Sequence, residues 1–350
     1  MNLIKSMLKV PQDELLFLTD KVAITYGQSI DAISIVQKEL ALKYNVSPGA
    51  VVTVEGGLDP TSIITFIALI LRKNIIVPIV QGEGNRKRRI LSKAEYIATV
   101  DPDKGNVEIE GTGVEADSYY YKQLRKEKHP GLVVFTSGST GEPKGIVHDL
   151  TKVLKKFDKP LRPYRMIPFL GFDHFGGINT ILRALSSGSC FVITKDRKPH
   201  TILEAVEKHK VTLLPTTPSF LKYMMLTRAH VNFDLSSLEL ITYGSEMMES
   251  DILDSLHPIF PHTEFRQTYG LSELGVLPVK SRASDSLWVK VGGPGFETKV
   301  EDGTLRVKSE STMLGYLDGT EPHVIWGWYD TGDLVDVDGE YVRFRGRREE

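Results

Sequence analysis

Between about residues 50 and 270, short β-branched runs alternate with longer segments whose apolar residues recur at helical spacing. That alternation is the pattern of βαβ units, and it commits the chain to an α/β architecture with largely parallel sheets. The predicted strands are Ala50 to Glu55, Ile75 to Val80, Leu132 to Phe135, Cys190 to Thr194, Val211 to Leu214 and Leu238 to Tyr243. The predicted helices are Thr61 to Leu71, Gly176 to Ser186, Thr201 to Lys208, Ser219 to Leu226 and Glu249 to Leu256. After about residue 285 the texture changes to short alternating segments separated by Asp302-Gly303, Asp318-Gly319 and Asp338-Gly339. Such turns predict a small antiparallel unit, so the expected division is an α/β part, 1–284, and a β-rich part, 285–350. The stretch from Gln81 to His129 is the least legible, with a weak strand around Tyr96 to Val100 and a long surface loop expected there.

A formal net charge of −2 argues against a generic nucleic-acid binder, which needs a basic surplus or stripe. The dense basic cluster Arg86 to Arg89 reads as a solvated turn. Cys190 is the lone cysteine, which excludes an intramolecular disulfide framework and a cysteine zinc site. Lys5 and Lys9 interrupt the first ten residues, so no secretion signal is read there. Ile63 to Leu71 ends at Arg72, Lys73 and Asn74, well short of the ~20 apolar residues of a membrane span. The expectation is a soluble cytoplasmic protein.

The strongest local feature is Thr136-Ser137-Gly138-Ser139-Thr140-Gly141-Glu142-Pro143-Lys144-Gly145, directly after the strand Leu132 to Phe135. Small residues let backbone N–H groups approach an anion, hydroxyls add donors, and a lysine supplies a point charge, which suits a polyphosphate. It is not a P-loop, because Lys144 lies between Pro143 and Gly145 rather than before Ser or Thr. The segment resembles the phosphate-binding signature of the adenylate-forming superfamily, which includes acyl- and aryl-CoA synthetases, acyl-AMP ligases, peptide-synthetase adenylation domains and luciferases.

Further segments resemble that superfamily's other signatures, in order. Tyr269-Gly270-Leu271-Ser272-Glu273 is similar to the second, with Ser272 where Thr is usual. The resemblance implies Tyr269 stacked on adenine beside Gly270, Ser272 at the α-phosphate and Glu273 on Mg²⁺, for which a carboxylate is the fitting hard ligand. Tyr243-Gly244-Ser245-Glu246 resembles the segment that borders adenine and the acyl pocket; a helix-entry turn with Ser245 as N-cap is the alternative. Tyr329-Asp330-Thr331-Gly332-Asp333 resembles the third signature, whose final aspartate accepts hydrogen bonds from both ribose hydroxyls. Phe344-Arg345-Gly346-Arg347 resembles the next, which implies Arg347 near the ribose and α-phosphate, with Arg345 and Arg348 merely solvated. Phe172-Asp173-His174-Phe175-Gly176-Gly177 admits two registers. One sets His174 against the acid's carboxylate as in acyl-CoA synthetases; the other makes Asp173 the partner of a substrate ammonium as in amino-acid-activating domains.

The resemblance implies two stacked, largely parallel α/β subdomains with a small β-barrel-like unit. It also implies a ligase that forms acyl-AMP from ATP and a small carboxylic acid, then acylates CoA or a carrier-protein phosphopantetheine. Lys144, Thr140, Glu273 and His174 are the expected catalytic residues, with Thr136, Ser137, Gly138, Ser139 and Gly141 completing the phosphate loop. Phe175, Ile178, Val276 and Leu277 suggest an apolar acyl pocket. An amino-acid-activating domain and a non-catalytic nucleotide-binding protein stand as alternatives. Superfamily members usually continue into a mobile domain with a further lysine, and residue 350 falls where the hinge to it is expected. That domain in trans and an acyl carrier protein are accordingly expected partners.

Overall fold

The computed structural model describes residues 3–82, 85–137, 142–159 and 161–348. Two seven-stranded sheets, the first mixed and the second largely parallel, are stacked across shared helices, and a third, antiparallel sheet packs beside them; the expectation of two largely parallel sheets fails for the first, whose outer strands pair antiparallel. In the first sheet the order is Gly315–Tyr316, Pro143–Asp149, Gly131–Ser137, Ile75–Val80, Val51–Gly56, Tyr96–Asp101 and Asn106–Gly111. In the second it is Glu264–Gln267, Leu240–Tyr243, Leu213–Thr216, Arg165–Met166, Cys190–Val192, Leu15–Leu18 and Ala23–Thr25. The third runs Val279–Ser281, Val289–Val291, Tyr341–Arg347, Trp328–Asp338, Thr304–Ser309 and Phe296–Glu301, with Val324–Ile325 paired to Trp328–Asp338.

The central strands of the first sheet are buried on both faces, which is why they read as continuous apolar runs. Val52, Val54, Ile76, Leu132 and Val134 face the core shared with the second sheet. Val51, Ile75, Val77, Val133 and Phe135 face a separate outer core closed by Tyr121 and Leu124. Helix Pro60–Leu71 buries every residue from Ser62 to Ile70, because it lies in the shared layer, where Phe66 meets Phe172 edge to face at 5.9 Å. Asp59 starts it by accepting from the Ser62 N–H, with Pro60 in the first turn. Among the described residues no helix is long and apolar enough to cross a membrane.

All six predicted strands and five predicted helices are present, within three residues at each end. Three further expectations need correction. The stretch from Gln81 to His129 is not a long surface loop: it holds helices Asn85–Ser92 and Tyr119–Glu127 and an antiparallel hairpin, Tyr96–Asp101 with Asn106–Gly111. Arg86 to Arg89 is not a solvated turn but part of helix Asn85–Ser92. The cause is Glu55, a buried carboxylate near the end of its strand, which requires a cation and receives the Arg89 guanidinium with the Asn85 amide. Arg345 and Arg348, expected to be solvated only, are exposed but pair with Asp336 and Asp330.

Candidate active site

The strands that flank the glycine-rich segment pair antiparallel, with Thr136 opposite Lys144 and Ser137 opposite Pro143. Gly138, Ser139, Thr140 and Gly141 lie outside the described residues, as does the side chain of Ser137. Glu142, at the far shoulder, pairs with Lys87. The Lys144 ammonium stands 5.7 Å from the centroid of the Tyr316 ring, and the Tyr316 hydroxyl donates to Glu273 Oε1 at 2.9 Å. Burial, then the Glu273 carboxylate, raises the Tyr316 phenol far above its usual range; burial likewise pushes neighbouring Tyr329 up to about 12. Lys144, Tyr316 and Glu273 thus form one array joining the first sheet to the following hairpin.

That hairpin pairs Gly270–Leu271 with Gly275–Val276, so Ser272, Glu273 and Leu274 form its loop. Such a loop closes on a residue with positive φ, and Gly275 supplies it at +76°. A side chain there would also strike the Phe175 ring, 2.7 Å from the position of a Cβ. The hairpin therefore seats against the start of helix Phe175–Ser187. Glu273 is half-buried and, among the described residues, has no cation paired with it.

Asp333 sits in a turn built by its own motif. Asp330 accepts from the Gly332 N–H at 3.0 Å, while the Thr331 hydroxyl donates to the Leu305 carbonyl at 2.7 Å and accepts from the Asp333 N–H at 3.1 Å. Asp333 is thereby turned toward the Tyr269 hydroxyl, which donates to its Oδ2 at 2.6 Å; Arg347, opposite it on the next strand, donates to Oδ1 at 3.2 Å. The Tyr269 ring stacks on Phe344 at 4.5 Å, and its phenol is raised by burial and then by Asp333.

Tyr243 ends one strand and Gly244 follows it so closely to the next that a Cβ would lie 2.2 Å from Thr268 Oγ1. Ser245 has a φ of +68° and is not an N-cap; helix Ser250–Leu256 starts after Glu249. Glu246 accepts from the Ser219 N–H at 3.0 Å and from its hydroxyl, holding the first turn of helix Pro218–Leu226. His174 precedes helix Phe175–Ser187 with an exposed ring, whereas Asp173 is partly buried and ion-paired with Arg88 at 3.0 Å. Phe175, Ile178 and Leu277 are buried core residues, and only Val276 of the suggested acyl pocket is partly open. Sequence reasoning passed over Tyr316, which ends an apolar phrase and carries no spacing signal of its own.

A family model described as "AMP-binding enzyme" matches residues 12–317. The chain belongs to the AMP-binding enzyme family. This AMP-binding enzyme is 28% identical over 255 residues to 4-coumarate-CoA ligase 1 of Narcissus pseudonarcissus, covering 62% of this chain and 46% of the relative. It is 27% identical over 314 residues to 4-coumarate–CoA ligase CCL1 of Humulus lupulus, covering 74% and 57%. The chain spans about half the length of the curated relatives it matches. Among solved structures, it is similar to the anthranilate CoA ligase AuaEII in complex with anthranoyl-AMP, at TM-score 0.79 and 18% identity, over 99% of this chain and 76% of that one. It is also similar to the N-terminal domain of FACL13 from Mycobacterium tuberculosis, at TM-score 0.76 and 15% identity, over 99% and 98%. At these identities the structural likeness concerns the fold.

Proposed function

We propose that this AMP-binding enzyme activates a carboxylic acid by adenylation. The carboxylate attacks the α-phosphorus of ATP, the bond to the bridging oxygen of pyrophosphate breaks, and acyl-AMP and pyrophosphate form. A thiol then takes the acyl group and releases AMP. The observation that carries this reading is the pair of arrays Lys144–Tyr316–Glu273 and Tyr269–Asp333–Arg347, which supply a cation, a carboxylate with no cation paired to it among the described residues, and an acceptor for ribose.

The residues fit the groups they would hold. Asp333 has used one lone pair on each oxygen, leaving one on each for the two ribose hydroxyls. Phe344 covers one face of Tyr269 and leaves the other for adenine. Glu273, half-buried without a cationic partner, suits Mg²⁺, which when bound would neutralise charge on the phosphate oxygens. Lys144 and the loop from Thr136 to Gly141 would hold the leaving pyrophosphate, Ser272 the α-phosphate, and His174 the entering carboxylate. The α/β part, 1–284, would bring most of these contacts, and the β-rich part, 285–350, would bring Asp333 and Phe344.

The names of the relatives favour an aryl acid and CoA as the acceptor. An amino-acid substrate is disfavoured by Arg88, which already neutralises the carboxylate that an ammonium would need. A carrier protein, or a lysine-bearing domain in trans, remains a partner this chemistry can use.

The test is ATP–pyrophosphate exchange across aryl, fatty, hydroxy and amino acids. One class, expected to be aryl, should support exchange, and Lys144→Ala should lower it about 100-fold, the order of one preorganised charge contact. Exchange unchanged by Lys144→Ala would remove that lysine from the reaction. Silence across the panel that persists when a lysine-bearing domain is supplied in trans, alongside intact AMP binding, would leave a nucleotide-binding protein.

A further inference from the structure

Two side chains outside the signature motifs, buried His148 and half-buried Lys156, converge on the backbone that carries Glu273. His148, near the end of the hairpin strand Pro143–Asp149, has no solvent exposure and its Nε2 donates to the Ser272 carbonyl at 2.6 Å. Because a carbonyl only accepts, this contact sets the proton on Nε2. Burial holds the imidazole down at about 4, so it is neutral, and its ring meets Phe175 edge to face at 4.8 Å. Lys156 comes from the following helical segment, and its amine donates to the Val276 carbonyl at 2.9 Å and to Asn179 Oδ1. Asn179 lies one turn beyond Phe175 on helix Phe175–Ser187.

The two held carbonyls bracket Glu273. Its own carbonyl accepts from the Met313 N–H at 2.8 Å, so the loop is tied at Ser272, Glu273 and Val276 to three different elements. A hairpin with two residues in each strand has almost no ladder to fix it, and its geometry must come from such outside contacts. Placing an amine against protein without a carboxylate partner is costly, and among the described residues no carboxylate is paired with Lys156.

We propose that His148 and Lys156 are positioning residues that hold the Ser272 and Val276 carbonyls and thereby aim the Glu273 carboxylate at the nucleotide-bound divalent cation. The inference rests on the proposed role of Glu273. Outer contacts of this kind commonly alter metal affinity by about 10- to 100-fold when removed.

The experiment is calorimetric titration of the full chain with ATP, in saturating Mg²⁺ and in EDTA, reading the ratio of the two affinities. Glu273→Gln tests the underlying role and should abolish the Mg²⁺ enhancement; an unchanged ratio there overturns that role and this inference with it. With that result in hand, His148→Leu and Lys156→Met should each reduce the enhancement about 10-fold while leaving affinity in EDTA within about twofold. His148→Gln, which returns an N–H close to the same position, should restore it. Circular dichroism checks the fold, and Lys156→Met acts on the opposite side of the loop should His148→Leu not fold. Wild-type enhancement in His148→Leu or Lys156→Met, with Glu273→Gln impaired, would overturn the inference and leave the proposed function standing. Equal weakening in Mg²⁺ and EDTA would also overturn it, since it would mark a general structural role.

Discussion

Replacing Lys156 with methionine removes an amine from the interior while keeping most of its volume, and the consequence is clearest as a change in pH slope. The residue is half-buried, its amine donates to the Val276 carbonyl and to Asn179, and burial holds that amine down at about 7 from an ordinary 10.5. Between those values the unfolded chain keeps a proton that the folded chain has given up, so raising the pH stabilises the fold. Below about pH 7 both states are protonated and the slope vanishes. The limiting slope is about 1.4 kcal/mol per pH unit, so from pH 7.5 to 9 the wild type gains up to about 2 kcal/mol that Lys156→Met does not. An unfolding entropy of roughly 2.1 cal/mol/K per residue turns this into a Tm difference of about 3 °C for a chain of 350 residues. His148, the titratable neighbour facing Lys156, stays neutral throughout this range and adds no slope. Losing the contacts to Asn179 and Val276 displaces the variant's curve by a constant, so the measurement is the wild-type minus variant Tm at several pH values. A difference that stays flat from pH 7.5 to 9 would refute an amine held neutral by burial.

Other perturbations follow from single contacts. Arg89→Ala strands the buried Glu55 carboxylate and should cost about 3 kcal/mol in urea denaturation, whereas exposed Arg86→Ala should change stability by less than about 0.5 kcal/mol. Gly244→Ala drives a Cβ into Thr268 and should cost about 1–3 kcal/mol while weakening AMP binding, both read from one ligand-dependent melting series. Asp333→Asn halves the charge-assisted acceptors offered to ribose and should weaken AMP at least about 10-fold by calorimetry, with Tyr269→Phe losing less.

The α/β core was legible because strands such as Val51–Gly56 and Ile75–Val80 are buried on both faces, so their apolar runs survive as a signal at the level of residue type. The interval from Gln81 to His129 was not, because helix Asn85–Ser92 is held by charge, Arg89 answering Glu55, and helix Tyr119–Glu127 buries only Tyr121 and Leu124 while its Arg125 answers Glu95. Nothing in a run of arginines tells which distant carboxylate it will meet. The signature loops were legible for a different reason, since turns such as Asp330-Thr331-Gly332-Asp333 hydrogen-bond within themselves and so write their geometry into adjacent residues.

Tyr316 shows why the rest of the site escapes such reading. It lies on a two-residue strand at the edge of the first sheet, reached from the third sheet's chain segment, and its hydroxyl ends on a carboxylate 43 positions earlier. Its ring lies beside Lys144, from the hairpin, while its hydroxyl serves Glu273, from the small two-stranded unit. Three pieces of chain that fold locally are thus brought into register by a contact that none of them encodes alone. The motifs name the chemical groups, and the tertiary pairing of Gly315–Tyr316 against Ile146 and Val147 sets the distance between them. A substitution that slips that short pairing should therefore separate Lys144 from Glu273 without touching either.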